Sequence, residues 1–110
     1  MVSISNNDIK ITRGDTLETT ISIMTRGGGA YIPSESDVVR FAVKKKYADI
    51  QPLIVKEIPI NTMVLRLEST ETKKLAAGKE PYVYDIEITM ANGTVDTFIS
   101  GNLYITEEVY

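Results

Sequence analysis

The sequence predicts an all-β chain folded as an antiparallel sandwich of about seven or eight strands, with one short helical crossover near residues 69–78. Three observations lead there. Apolar and polar residues alternate with a period of two through most of the chain. Turn-forming residues interrupt the alternation at roughly 8–12-residue spacing, as in small all-β domains. Only one passage carries the capping and terminating chemistry of a helix.

The elements follow in order. Asp8-Ile9-Lys10-Ile11-Thr12 alternates like a half-buried strand until Arg13-Gly14-Asp15 breaks it with turn chemistry. Residues 16–24 resume the period, with Leu17, Thr19, Ile21 and Ile23 on one face and Glu18, Thr20 and Ser22 on the other. These two strands are expected to pair or to lie at neighbouring edges. Gly27-Gly28-Gly29 reads as a mobile loop before Tyr31-Ile32-Pro33. Across residues 38–46, Val39, Phe41 and Val43 share a face opposite Arg40, Ala42 and Lys44, and residues 47–52 form a loop. Residues 53–58 are β-branched and closed by Pro59, and residues 63–67 make a further strand with Met63, Leu65 and Leu67 inward.

Residues 69–78 are the helical passage: Ser69 or Thr70 caps it, and Gly78 ends it in the left-handed region. In the last third Tyr82, Tyr84, Ile86, Ile88 and Met90 line one face, and Val83, Asp85, Glu87 and Thr89 the other. Asn92-Gly93 supplies a two-residue hairpin turn. Residues 94–99 return, Ser100-Gly101-Asn102 kinks or bulges the strand, and residues 103–106 continue it. A small closed barrel is the structural alternative. No repeat, linker or low-complexity tract divides the sequence, so residues 1–110 read as one domain.

Composition narrows function by what is missing. The 110 residues are 43% hydrophobic and 25% charged, enough for a packed core under an ordinary polar surface. There is no Cys, His or Trp. Thiol nucleophiles, Ser-His-Asp triads, imidazole acid–base chemistry and zinc sites of the usual kinds are excluded with them. No enzyme, cofactor or metal is expected. A net charge of −3 argues against a nucleic-acid partner, since phosphate neutralisation needs clustered Lys and Arg. Residues 1–8 lack the basic and apolar regions of a signal peptide, and no stretch approaches the roughly 18 apolar residues of a membrane span. The expected place of synthesis is therefore the cytoplasm, with no membrane anchor and no signal-peptide export.

Several short features invite a functional reading. Arg13-Gly14-Asp15 matches an adhesion tripeptide, but Gly14 and Asp15 equally make a turn. Gly27-Gly28-Gly29 lacks the Gly-Lys-Ser/Thr ending of a phosphate loop. Lys44-Lys45-Lys46 beside Tyr47, with Arg40 behind, forms the only basic run; it suits an acidic partner such as DNA, or serves as a solvated strand end or a charged edge that blocks unwanted pairing, and three lysines in an acidic protein favour the latter. Asp85 and Glu87 share a strand face, and Asp96 can come opposite them across the hairpin; a solvated face accounts for them better than a cation site or a carboxylate pair. Tyr supplies six of the eight aromatic side chains, and Tyr31, Tyr47 and Tyr110 fall in loops or at the end of the sequence, where an amphipathic ring suits an interface. The candidate interface residues are thus Tyr31, Tyr47, Lys44, Lys45, Lys46 and Tyr110.

The passage Leu75-Ala76-Ala77-Gly78-Lys79-Glu80-Pro81-Tyr82-Val83-Tyr84 resembles the corner before a late strand in immunoglobulin-like domains, where a Tyr hydroxyl bonds back to upstream backbone. The resemblance gives that part to Tyr82 or Tyr84, with Leu75 and Gly78 completing the corner. Further stretches widen the likeness: Ile9-Lys10-Ile11-Thr12-Arg13-Gly14-Asp15-Thr16, Val39-Arg40-Phe41-Ala42-Val43-Lys44-Lys45, Tyr82-Val83-Tyr84-Asp85-Ile86 and Gly101-Asn102-Leu103-Tyr104-Ile105. Together they are similar to small immunoglobulin-like phage and prophage structural proteins, including the N-terminal domain of baseplate upper proteins. The resemblance implies a non-enzymatic virion protein of the tail or baseplate, with phage structural proteins and copies of itself as partners, located in the virion or the host cytoplasm; the strands near residues 8–12 and 53–58 are the candidate unpaired edges for such assembly. The alternative is a carbohydrate-binding or adhesion module, against which the lack of Trp weighs.

Overall fold

Alternation is realised as ten strands and one turn of helix in a computed structural model that describes residues 2–5, 7–24 and 29–107. The strands are β1 (Val2–Ser5), β2 (Asp8–Thr12), β3 (Leu17–Thr20), β4 (Ile23–Met24), β5 (Ala30–Tyr31), β6 (Val38–Lys44), β7 (Ile54–Ile58), β8 (Val64–Leu67), β9 (Tyr82–Thr89) and β10 (Val95–Thr106); helix α1 spans Ser69–Thr72. Six strands form one mixed sheet in the order β1-β2-β10-β9-β6-β7. Two short antiparallel pairs, β3 with β8 and β4 with β5, complete the β structure.

The core follows from the period of two. Val39, Phe41 and Val43 of β6 are each fully buried, and their ladder partners on β9 are Ile88, Ile86 and Tyr84. Paired residues of an antiparallel ladder project from the same face, so these six side chains make one apolar surface. Phe41 and Tyr84 meet at 5.6 Å between ring centroids with planes tilted by 38°. Leu17 of β3 and Leu65 and Leu67 of β8 bury into the same cluster, as does Leu75 beyond α1.

The sheet differs from the expected antiparallel arrangement at one place. β2 lies between β1 and β10, antiparallel to the first and parallel to the second, with Ile9 beside Leu103 and Ile11 beside Ile105. β2 and β3 therefore neither pair nor share an edge. The Arg13-Gly14-Asp15 turn carries the chain out of the large sheet: Gly14 has φ 87°, and Asp15 N–H donates to the Thr12 carbonyl at 3.0 Å. Residues 16–24 are likewise not one strand. The chain leaves the β3–β8 ladder after Thr20, where Ile21 N–H donates to the carbonyl of Met63 (2.8 Å), itself at φ 54°.

The helical passage is shorter than residues 69–78. Glu68, rather than Ser69 or Thr70, holds the N-cap position, and its N–H donates to the Glu71 carboxylate at 3.0 Å. The helix stops at Lys73 because Leu75 must turn into the core, where it is 2% exposed. Gly78 lies beyond the helix, is not in the left-handed region, and donates its N–H to the Ile105 carbonyl at 3.2 Å.

The last hairpin turns on three residues, not two. Gly93 N–H donates to the Met90 carbonyl (2.9 Å) and Met90 N–H to the Thr94 carbonyl (2.8 Å), with Gly93 at φ 88°. This is a tight turn over Ala91 and Asn92 followed by a left-handed Gly, the usual three-residue hairpin. The bulge of β10 sits at Phe98, between the Thr97–Glu87 and Ile99–Ile86 pairs, rather than at residues 100–102. Gly101 serves another purpose. The Asn7 carbonyl crosses it so closely that a Cβ there would collide with backbone. Gly101→Ala is expected to lower the unfolding free energy by about 1–3 kcal/mol, as overpacking does, measured by urea denaturation. A change within experimental error would show that the Asn7 backbone is not fixed there.

Candidate functional site

The corner between α1 and β9 is built from both ends of the chain. Arg13 donates from Nε to the Leu75 carbonyl at 3.0 Å and from Nη2 to the Lys73 carbonyl at 2.7 Å, taking up the carbonyl of the helix C-cap and one two residues beyond it. Buried Thr72 accepts from Gly14 N–H at 3.1 Å and donates to the Asp15 carbonyl at 2.8 Å. The tripeptide 13–15 is thus held within the molecule as a joint between the β2–β3 turn and the helix. Tyr82 accepts from Ala76 N–H at 2.9 Å, while Tyr84 donates to the Asn7 carbonyl. Burial pushes the Tyr84 phenol up, and the nearby Asp8 and Tyr47 add to the shift.

The basic run divides where β6 ends. Lys44 is half-buried and lines an open groove of about 280 Å³ on the outer face of the large sheet, together with Arg40, Tyr47, Val55, Asp85 and Glu87. Lys45 and Lys46 are exposed and line a second groove of about 470 Å³ with Lys79, Ala76, Pro81 and Tyr82. The turn carrying them is fixed by Asp49, whose carboxylate accepts from Lys46 N–H at 3.2 Å and whose own N–H donates to the Lys46 carbonyl at 3.0 Å.

Asp85 and Glu87 stand on the outer face in rows with Ala42 and Arg40 of β6. Asp96 pairs with Ile88, a residue of the opposite face, so the three carboxylates do not converge. Among the described residues no group of three His, Cys, Asp or Glu side chains is placed to hold a metal ion.

Tyr31 belongs to β5 and not to a free loop, and its hydroxyl donates to Asp37 Oδ2 at 2.6 Å. Asp37 is buried, and the same oxygen accepts from Ser34 N–H at 3.0 Å. The Tyr31 hydroxyl and the Ser34 amide hold the Asp37 carboxyl below its usual range, and the shared hydrogen bond raises the Tyr31 phenol. Tyr47 is 63% exposed, whereas Tyr110, Gly27 and Gly28 lie outside the described residues.

Sequence reasoning missed the bonds made by Arg13, Thr72 and Asp37. Their partners are 60, 58 and 6 residues away for Arg13–Lys73, Gly14–Thr72 and Tyr31–Asp37. Only the last left a local signal, since Ser34-Glu35-Ser36-Asp37 has the turn chemistry in which an Asp gathers nearby amides. Of the two stretches expected to form a sheet edge, residues 53–58 do so as β7, whereas residues 8–12 lie inside the sheet as β2, between β1 and β10; exposed apolar side chains gather at and before β7, Ile50 at 89%, Val55 at 55% and Leu53 at 54%.

No family model and no curated protein matches the chain. No helix among the described residues is long and apolar enough to cross a membrane.

Two measurements check these assignments. Thr72→Val keeps the shape and leaves two backbone groups without their partner, so it is expected to cost about 1–3 kcal/mol of stability by denaturant titration. Asp37 has a lowered folded-state pKa, so its contribution is present above the unfolded carboxylate range and disappears as pH falls through the lowered value. Tyr31→Phe removes the largest cause of that shift and is expected to flatten the loss of stability from about pH 5 downward. An unchanged acid limb in thermal melts would contradict the pairing.

Proposed function

We propose that the chain is an immunoglobulin-like sandwich that works as a non-enzymatic assembly module through protein–protein contacts, in a phage or prophage particle at the tail or baseplate. The strand order supports the fold reading. The run β7-β6-β9-β10 has the order C′-C-F-G of one immunoglobulin sheet, and the β3–β8 pair has the place of strands B and E of the other. Tyr82, at the start of β9, bonds to Ala76 six residues upstream, in the manner of a tyrosine corner. The likeness of residues 9–16, 39–45, 75–86 and 101–105 to baseplate domains supports the placement in a particle.

The observation that carries the assembly reading is the β7 edge. β7 ends the six-stranded sheet, so one side of its backbone has no strand neighbour within it. Edge strands are commonly guarded by charged side chains, Lys above all, pointing outward or inward. Here Lys56 pairs with Phe41, an inward residue, and its Nζ reaches Glu71 of α1 at 2.7 Å. Burial pushes the Glu71 carboxyl up, but the bonds from Lys56 and Glu68 N–H outweigh it and hold the carboxyl low, keeping the pair charged. Val55 is left outward at the groove that Tyr47 lines, and Ile50 and Leu53 are exposed on the segment leading into β7. Apolar side chains around an edge whose Lys is held in an intramolecular ion pair suit pairing with a second copy about a twofold axis, with Glu57 the one outward charge on the strand.

Tyr47 beside the outer groove favours carbohydrate binding as a second reading, because an exposed ring flanked by Arg40, Asp85 and Glu87 provides a stacking surface with polar groups around it.

Light scattering after gel filtration tests the assembly reading. A mass above that of the monomer that rises with concentration is expected, with Val55→Lys returning the protein to monomer at unchanged fold. A strictly monomeric protein that also fails to co-sediment with particles from an induced lysate would overturn it. A glycan array decides the second reading.

A further inference from the structure

We infer that the groove between the 45–46 turn and the 76–82 segment is a docking site for an acidic, extended polypeptide segment of a partner protein. This site is separate from the β7 edge and does not depend on it. Three lysines line one opening: Lys45 and Lys46 on the turn after β6 and Lys79 on the 76–82 segment. Among the described residues, none of the three is paired with a carboxylate. In a chain of net charge −3, whose Lys56, Arg66 and Arg13 are all engaged internally, three unpaired cations at one groove are a local inversion of charge. Such a concentration attracts carboxylates from solution.

Both walls are held. Lys46 lies on the turn closed by Asp49, and the opposite wall is tied by Ala76 to the Tyr82 hydroxyl and by Gly78 to Ile105. The site is therefore preformed, which spares the ordering cost of binding.

The lining selects among anions. Ala76, Ala77, Pro81 and Tyr82 give the groove an apolar surface that phosphates do not use but that a side chain between two acidic residues would cover. Glu80 stands at the same groove and repels a dense polyanion more than a segment with spaced charges. The cations are all Lys, compact charges without the planar fork that Arg offers to phosphate. At about 470 Å³ the opening has the size of a ligand groove. Together these features favour a polypeptide over nucleic acid.

The test uses the blocked peptide Glu-Glu-Tyr-Glu-Glu, its Gln-Gln-Tyr-Gln-Gln counterpart and a short DNA duplex, each titrated into the ¹⁵N-labelled full chain at about 0.05 M salt. The acidic peptide is expected to move the amide signals of residues 45–46 and 76–82, and the Gln peptide to bind at least about tenfold more weakly. Raising the salt to about 0.5 M should weaken the acidic peptide by a similar factor. The exposed triple variant Lys45→Glu, Lys46→Glu, Lys79→Glu should abolish these shifts while self-association through β7 persists; Val55→Lys should do the reverse. Absent shifts, shifts centred elsewhere, equal binding of the Gln peptide, or tighter binding of the duplex in the same groove would each overturn the assignment.

Discussion

Everything in this molecule is positioned by the face shared between β6 and β9. Val39, Phe41 and Val43 lie directly beside Ile88, Ile86 and Tyr84, and the register admits no slip, because a shift by one residue would turn Arg40 and Glu87 into the core. With no disulfide available, burial of this face and the ladder beneath it must oppose the chain entropy. Phe41 is the largest of the fully buried side chains and stands at the middle of its row.

A second set of bonds gathers the segments that the ladder does not reach. Arg13 takes up the carbonyls of Leu75 and Lys73, Thr72 bridges Gly14 and Asp15, and the hydroxyls of Tyr82 and Tyr84 fasten the corner and the chain at Asn7. Each of these polar groups is met by a partner, and no buried side-chain nitrogen or oxygen is left without one among the described residues. The corner can therefore do without regular structure from Leu75 to Pro81 and still present a fixed wall to the groove beside it.

What could be read from the sequence was what repeats locally. The inward faces of β6, β8 and β9 followed from alternation alone, and Gly93 announced its turn, although the turn proved one residue longer. Pairings between distant segments left no such trace. Nothing near Ile9 signals that it will lie parallel to Leu103, and nothing around Arg13 announces the carbonyl of Lys73. The break after Thr20 was hidden because the pattern of 16–24 stays strand-like while the backbone leaves the ladder. Sequence did not foresee the bond from the Tyr31 hydroxyl to buried Asp37; it offered residues 53–58 as an edge but could not tell them from 8–12, because which strand ends a sheet is decided by the distant β2–β10 pairing. The division of the lysine run between two grooves likewise needed the position of the 76–82 segment.

The parallel pairing of β2 with β10 also bears on how the molecule forms. Asp8 accepts from the amide of Asn102, a bond closed over 94 residues, and the four pairs from Leu103–Ile9 to Thr106–Thr12 close over similar spans. Such long closures come late and slow the folding of β-rich chains. On the ribosome, β2 has only the β1 hairpin until β10 has emerged, so one side of its backbone stays open while the segments between them are made. The nascent chain thus exposes a second sheet edge that the finished protein no longer has, and the rate at which residues 103–106 dock sets how long it remains vulnerable to mispairing.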